Sequence, residues 1–142
     1  MLTEEIIDQA ANFHGHLGPF LVIGVRMGLT GLKRLDACTH SRDLSITASL
    51  PLRVPFSCII DGLQVSTKCT MGNQKLTLRD SEKIQAEFSR REKGQKIVVS
   101  LNNSILEKLR TQLQPEDIAD DQVRQLAFKV ASTPENELFT TK

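Results

Sequence analysis

Three histidines occur in 142 residues, and two of them stand one residue apart in His14-Gly15-His16. Neutral imidazole ligates zinc, nickel, copper and iron, so this pair is the first place where the chain could do chemistry. On a helix, residues two apart point to nearly opposite sides. Gly15 relaxes that limit, because glycine adopts backbone angles that can turn both rings the same way. Phe13, Leu17 and Pro19 flank the pair and would hold such a loop against a core. The plainer reading has one ring capping a helix end and the other bonded to backbone.

A second concentration runs from Asp61 to Asn73, with a carboxylate, amides, hydroxyls and a thiol close together. On a helix Asp61 and Gln64 share a face, as do Gln64 and Thr67. Cys69 lies just past that helix among small residues, beside Lys68. A nearby cation favours thiolate, the form that binds metal or attacks an electrophile. The plainer reading is a capped helix followed by a polar turn, with Cys69 as a small buried hydrophobe. Cys38 and His40 form a Cys-x-His pair in a polar loop without obvious partners, and Cys58 falls on the inner face of a helix as a core residue. No pair of CxxC motifs exists, which excludes a zinc ribbon. A Walker loop, a Rossmann glycine fingerprint and a GxSxG elbow are also missing from the sequence.

The elements that must carry these residues can be read from periodicity. Thr3 before Glu4-Glu5 is an N-cap signal, and Leu2, Ile6, Ile7, Ala10 and Ala11 give a helical face ending near Phe13. Gly18-Pro19 restarts a helix, with proline in its first turn, that runs to Leu35 on Leu21, Val22, Val25, Leu29 and Leu32. Gly24, Gly28 and Gly31 recur near one side of it. Each costs about 1 kcal/mol against alanine in a helix, so they argue for close approach of another backbone, either a neighbouring helix or a dimer mate. Leu44–Leu50 alternates as a half-buried strand, and Pro55–Ser66 reads as a third helix. Leu76–Leu78, Ile84–Ser89 and Lys96–Leu101 read as strands whose short connections favour antiparallel pairing. Helices follow from Asn103 to Leu113 and from Asp120 to Ala131, and residues 134–142 are expected to form a loose tail. The order predicts a single α+β domain over 1–142: an antiparallel sheet of about four strands packed with N-terminal and C-terminal helices.

Composition narrows the function. The net charge is +1, from 18 basic and 17 acidic residues, which points to no polyanionic partner. With no Trp, no Tyr and six Phe, the chain lacks the aromatic platforms on which single-stranded nucleic acid stacks. The longest apolar run, Phe20 to Val25, falls far short of the ~20 residues that span a bilayer. The acidic start is no signal peptide. A soluble, cytoplasmic protein is expected, with no nucleic-acid or membrane partner and with its three cysteines as thiols.

The segment His14–Pro19 followed by Gly24-Val25-Arg26-Met27-Gly28 resembles the signature of the formylmethanofuran dehydrogenase E-subunit family. So does Cys58-Ile59-Ile60-Asp61-Gly62-Leu63-Gln64 running into Thr67-Lys68-Cys69-Thr70-Met71-Gly72-Asn73. The likeness covers about residues 10 to 100. It implies an α+β core that tends to form a homodimer, with a pocket for a divalent transition metal, zinc first and nickel or iron next. By position it nominates His14, His16 and Cys69 as ligands. Asp61, Gln64, Thr67 and Asn73 become polar groups around the ion, and Arg26 lends itself to the pocket wall or the dimer contact. Gly18 departs from relatives that carry cysteine there, and the cysteine-rich zinc finger of some relatives is not seen here.

Two imidazoles and a thiolate leave one tetrahedral position open, the pattern of a catalytic rather than a structural site. Together with the resemblance, this implies a metal-dependent protein of anaerobic one-carbon or methanogenesis-type metabolism, with Asp61 as a possible base. The alternative is a non-catalytic accessory subunit or metal carrier acting within a larger enzyme complex. A third reading is a thiol enzyme using Cys69 without metal.

Overall fold

The computed structural model describes residues 2–115 and 117–142. Helix α1 (Glu4–His14) begins where the Thr3 hydroxyl accepts the Ile6 N–H at 3.2 Å. It ends at Gly15, which takes φ +108° and returns its N–H to the Ala11 carbonyl. That left-handed conformation suits glycine and few other residues, and it sets the direction in which the chain leaves the two histidines. Helix α2 (Pro19–Arg34) follows at once and is buried along most of its length. It is the central element, with strand β1 (Leu44–Leu50), helix α3 (Cys58–Thr67) and strand β2 (Leu76–Asp80) next in the chain.

Strands β3 (Gln85–Arg90) and β4 (Gln95–Leu101) precede helices α4 (Asn103–Gln112) and α5 (Asp120–Ser132). The chain then adds a short helix α6 (Glu135–Leu138) and strand β5 (Phe139–Thr141). The sheet has five strands in the order β2-β1-β3-β4-β5. Leu44, Ile46, Ala48 and Leu50 of β1 face inward with Ala86, Phe88, Val99 and Leu101, so the expected alternation of β1 holds. The opposite sheet face carries mainly hydroxyl and charged side chains.

Two features differ from the reading of the sequence. The sheet is mixed: β1 pairs β2 in parallel, while the other ladders are antiparallel. The reason is the connection. Residues 51–75 leave β1, form α3 and return, which is the crossover a parallel pair requires. The segment expected to be a loose tail forms α6 and β5 instead. Leu138 and Phe139 are buried, and Phe139 pairs with Leu101 on β4. Their apolar area outweighs the polarity of the residues around them.

Gly24 and Gly62 sit face to face where α2 crosses α3. A Cβ on Gly24 would overlap the Ile59 carbonyl oxygen, and one on Gly62 would overlap the Leu21 carbonyl oxygen. Gly28 faces Ser66 and Thr67, and Gly31 lies under the Phe88 ring. The glycine spacing of α2 thus serves a helix and a sheet of the same chain. Arg26, nominated for a pocket wall or a dimer contact, bonds to the end of α5. Its Nη1 donates to the Val130 carbonyl at 2.9 Å, to the Ala131 carbonyl at 3.5 Å and to the Thr133 carbonyl. These carbonyls lie at the C-terminal end of α5, where a helix runs out of its own donors, and the Val130 carbonyl also accepts the Thr133 N–H at 3.3 Å, so Arg26 ties α5 to α2. No helix of the described residues is long and apolar enough to cross a membrane.

Candidate functional site

The last residue of α1, the turn after it and the first two turns of α3 meet at one place. His14 Nδ1 lies 2.6 Å from Asp61 Oδ2. A carboxylate oxygen accepts here, so the His14 Nδ1–H is the donor of this contact. The His16 ring stands beside that of His14, with centroids 4.9 Å apart and planes tilted by 36°. The Gln64 amide donates to Asp61 Oδ1 at 3.3 Å, and its carbonyl accepts the Met71 N–H at 3.1 Å. A chain of contacts therefore runs from the turn after α3, through Gln64 and Asp61, to the imidazole of His14. Both Asp61 oxygens are engaged, which makes it a group that orients His14.

A cavity of about 210 Å³ opens beside the two rings. His14, His16 and Cys58 line it together with the apolar side chains of Phe20, Leu113 and Val123. Phe20 is fixed edge-on against Phe56, with ring centroids 5.3 Å apart. Cys58, read from the sequence as core, lines this cavity and is only half-buried. Burial pushes its thiol pKa up, and the negative charge of Asp61 adds to that. One signal for Cys58 was present in the sequence: it stands three residues before Asp61, on the same face of α3.

The remaining sequence-nominated residues lie elsewhere in the local structure. Cys69 is buried beneath the end of α3, and its N–H donates to Thr67 Oγ1 at 3.1 Å. Burial raises its thiol pKa, against opposing effects of the Thr67 hydroxyl and the Lys75 charge. It does not line the histidine cavity. The Thr67 hydroxyl donates to the Leu63 carbonyl at 2.6 Å and is fully buried. Asn73 accepts from the Thr70 and Lys75 N–H groups at 2.9 and 3.1 Å and donates to the Lys68 carbonyl at 2.7 Å. Thr67 and Asn73 thus shape the turn after α3, where Lys68 has φ +61°. Among the described residues, no three His, Cys, Asp or Glu side chains converge on a point that could hold a metal ion. Cys38 is exposed, with its sulfur 3.7 Å from the Ser41 hydroxyl.

Comparison with known proteins bears on this arrangement. The family described as FmdE, molybdenum formylmethanofuran dehydrogenase operon, matches residues 13–140. A protein of Archaeoglobus fulgidus named as a probable S-adenosyl-L-methionine-binding protein is 33% identical over 97 residues, which is 67% of this chain. The match spans 26% of that relative, so the chain corresponds to about a quarter of its length. A crystal structure of a tungsten formylmethanofuran dehydrogenase FmdE-like protein from Syntrophus aciditrophicus superposes with a TM-score of 0.67 at 21% identity. The superposition covers 98% of this chain and 70% of that one, and it is a likeness of fold.

Proposed function

The chain belongs to the FmdE family, and from that premise we propose that it is a transition-metal-binding protein whose ion rests on His14 and His16. The observation that carries this reading is the 2.6 Å contact between His14 and Asp61. A carboxylate on one imidazole nitrogen is the usual partner of a metal-ligating histidine, because it fixes the tautomer and raises the basicity of the other nitrogen. The donor types fit a divalent transition metal, with zinc the first choice and nickel or iron also suited to imidazole. A thiol completes the set, and two cysteines compete for that role: Cys69 by motif and Cys58 by position on the cavity.

Such an ion would supply a Lewis acid or a water made acidic enough to act near neutral pH. The protein does the rest with its own groups. Asp61 holds His14 in one orientation, Gln64 holds Asp61, and Phe20, Leu113 and Val123 shape a mostly apolar space beside the ion. The operon named in the family description supports a setting around formylmethanofuran dehydrogenase and one-carbon metabolism. The protein would act there as a metal-dependent enzyme or as an accessory subunit. A cavity next to the histidines favours a site that admits a small ligand over a purely structural one.

Metal analysis of the purified protein after equilibration with zinc, set beside a His14→Ala/His16→Ala variant, tests this. About one bound ion per chain is expected in the native protein, with loss in the variant. Equal metal content in both would overturn the reading.

A further inference from the structure

We propose that the cavity beside the histidines and a recess on the other side of His16 form one two-part binding site, for a small zwitterion of the α-amino-acid type with a compact apolar side chain. The inference extends the small-ligand part of the reading above and needs no ion in the site. The inner cavity, about 210 Å³, has Phe20, Leu113 and Val123 in its lining and no Asp, Glu, Lys or Arg. An apolar cavity of about 150 Å³ holds a benzene molecule, so a ring or a short branched chain fits. The outer recess, about 290 Å³, is lined in part by Asp120 and Arg124. His16 and Val123 line both spaces and form the waist between them.

Gly18 marks that waist. It is buried, yet neither its backbone nor close packing requires glycine. Its φ of −143° and ψ of 169° are extended, a conformation open to any residue. An added Cβ would meet no backbone, only Val123 Cγ1 at 3.5 Å and the His16 ring, whose Nε2 lies at 3.6 Å. Gly24, Gly28, Gly31 and Gly62 differ, since a Cβ on each would overlap a neighbour. As the N-cap of α2, Gly18 also forgoes the side-chain bond that serine or threonine would make there. The space that a side chain at this position would take is left open against the two residues that both compartments share.

The charges of the outer recess set the class of ligand. Asp120 and Arg124 stand one turn apart on one face of α5, and among the described residues no ion pair joins them. A ligand end that carries both signs satisfies both groups, with its ammonium toward Asp120 and its carboxylate toward Arg124. An anion alone meets the like charge of Asp120, and a cation alone meets that of Arg124. The apolar side chain of the same ligand passes the waist at Gly18 and lies against Phe20, Leu113 and Val123.

NMR titration of the full chain tests the assignment, read on the Val123 methyl and His16 imidazole signals, first in chelator-treated protein and again after equilibration with zinc. L-phenylalanine, phenylpropanoate and phenylethylammonium share a ring and differ in charge. L-phenylalanine should bind tightest, with each singly charged analogue roughly three- to fivefold weaker, the size of an exposed charge pair. Arg124→Gln should erase the preference over phenylethylammonium. Gly18→Thr should weaken L-phenylalanine at least about tenfold by filling the waist, and should keep the native urea midpoint, because threonine and glycine rank together as N-caps. Should Gly18→Thr lose its fold, the Arg124→Gln comparison still decides. Failure of L-phenylalanine to move either signal, equal affinity for all three probes, or full affinity in a folded Gly18→Thr overturns the two-part site. The chelator-treated arm keeps this result separate from the metal reading, so either can fail while the other stands.

Discussion

His14 meets Asp61 through Nδ1, and the side chains around it divide into those that join this contact and those that do not. The histidine pair and the shared face of Asp61 and Gln64 were legible in the sequence, since helical spacing alone joins the two polar residues and the structure bonds them at 3.3 Å. The meeting of α1 with α3 was not legible from spacing, because it depends on a long-range helix crossing. Cys58 was hidden for another reason: Ile59 and Ile60 follow it, so a half-exposed thiol at a helix start looked like one more apolar core position. Replacement Asp61→Asn tests the orienting role. Zinc affinity, measured by competition with a chromophoric chelator, should fall about 10- to 100-fold, as expected when a metal-bound histidine loses its carboxylate. Stability should change little, because Asp61 is 32% exposed and a pair at that exposure is worth about 1 kcal/mol or less. Unchanged affinity would mean that the contact does not serve metal binding.

The crossing of α2 and α3 is the element on which the site depends, because α3 carries Cys58 and Asp61 while α2 starts two residues after Leu17 and fixes the path of His16. Helix α2 was readable from its apolar period and its Pro19 start, and β1 from strict alternation. The parallel partnership of β1 and β2 was not, since it is decided by where α3 docks and no local pattern records that. The glycines did signal a close backbone, and the structure shows that α3 of the same chain provides it at Gly24. Gly24→Ala would force its new methyl into the Ile59 carbonyl. Overpacking of this kind costs about 1–3 kcal/mol, offset only in part by the better helix propensity of alanine. Urea denaturation should show a lower midpoint for this variant and almost none of that shift for Gly72→Ala, whose Cβ would meet only Thr70 Oγ1 at 3.8 Å. A midpoint equal to that of the native protein would show that the two helices can separate freely.

Across the whole molecule, the C-terminal elements are fastened to α2. Glu135 accepts from Thr30, Lys33 and Arg34 of α2 at 3.0, 2.8 and 3.1 Å, and Arg26 of α2 holds the end of α5. Helix α5 also supplies Val123 to the cavity wall. The polar sequence after Pro134 disguised this role, because only Leu138 and Phe139 in it are apolar anchors. Removal of residues 135–142 would take away both buried side chains, each worth about 1.5–3 kcal/mol when buried, and would leave β4 as a bare sheet edge. The combined loss, roughly 3–6 kcal/mol, is a large share of the ~5–15 kcal/mol that holds an ordinary domain together. The truncated chain should therefore unfold at a clearly lower urea concentration, and hydrogen exchange should lose protection first in β4 at Val98, whose N–H donates to the Lys142 carbonyl, and at Ser100, paired with Thr140. The single replacement Phe139→Ala should reproduce about 3 kcal/mol or more of that loss. If both variants unfold with the native chain, α6 and β5 merely rest on the domain, and the wall formed by α5 is held by Arg26 and by the buried Ala127 and Val130.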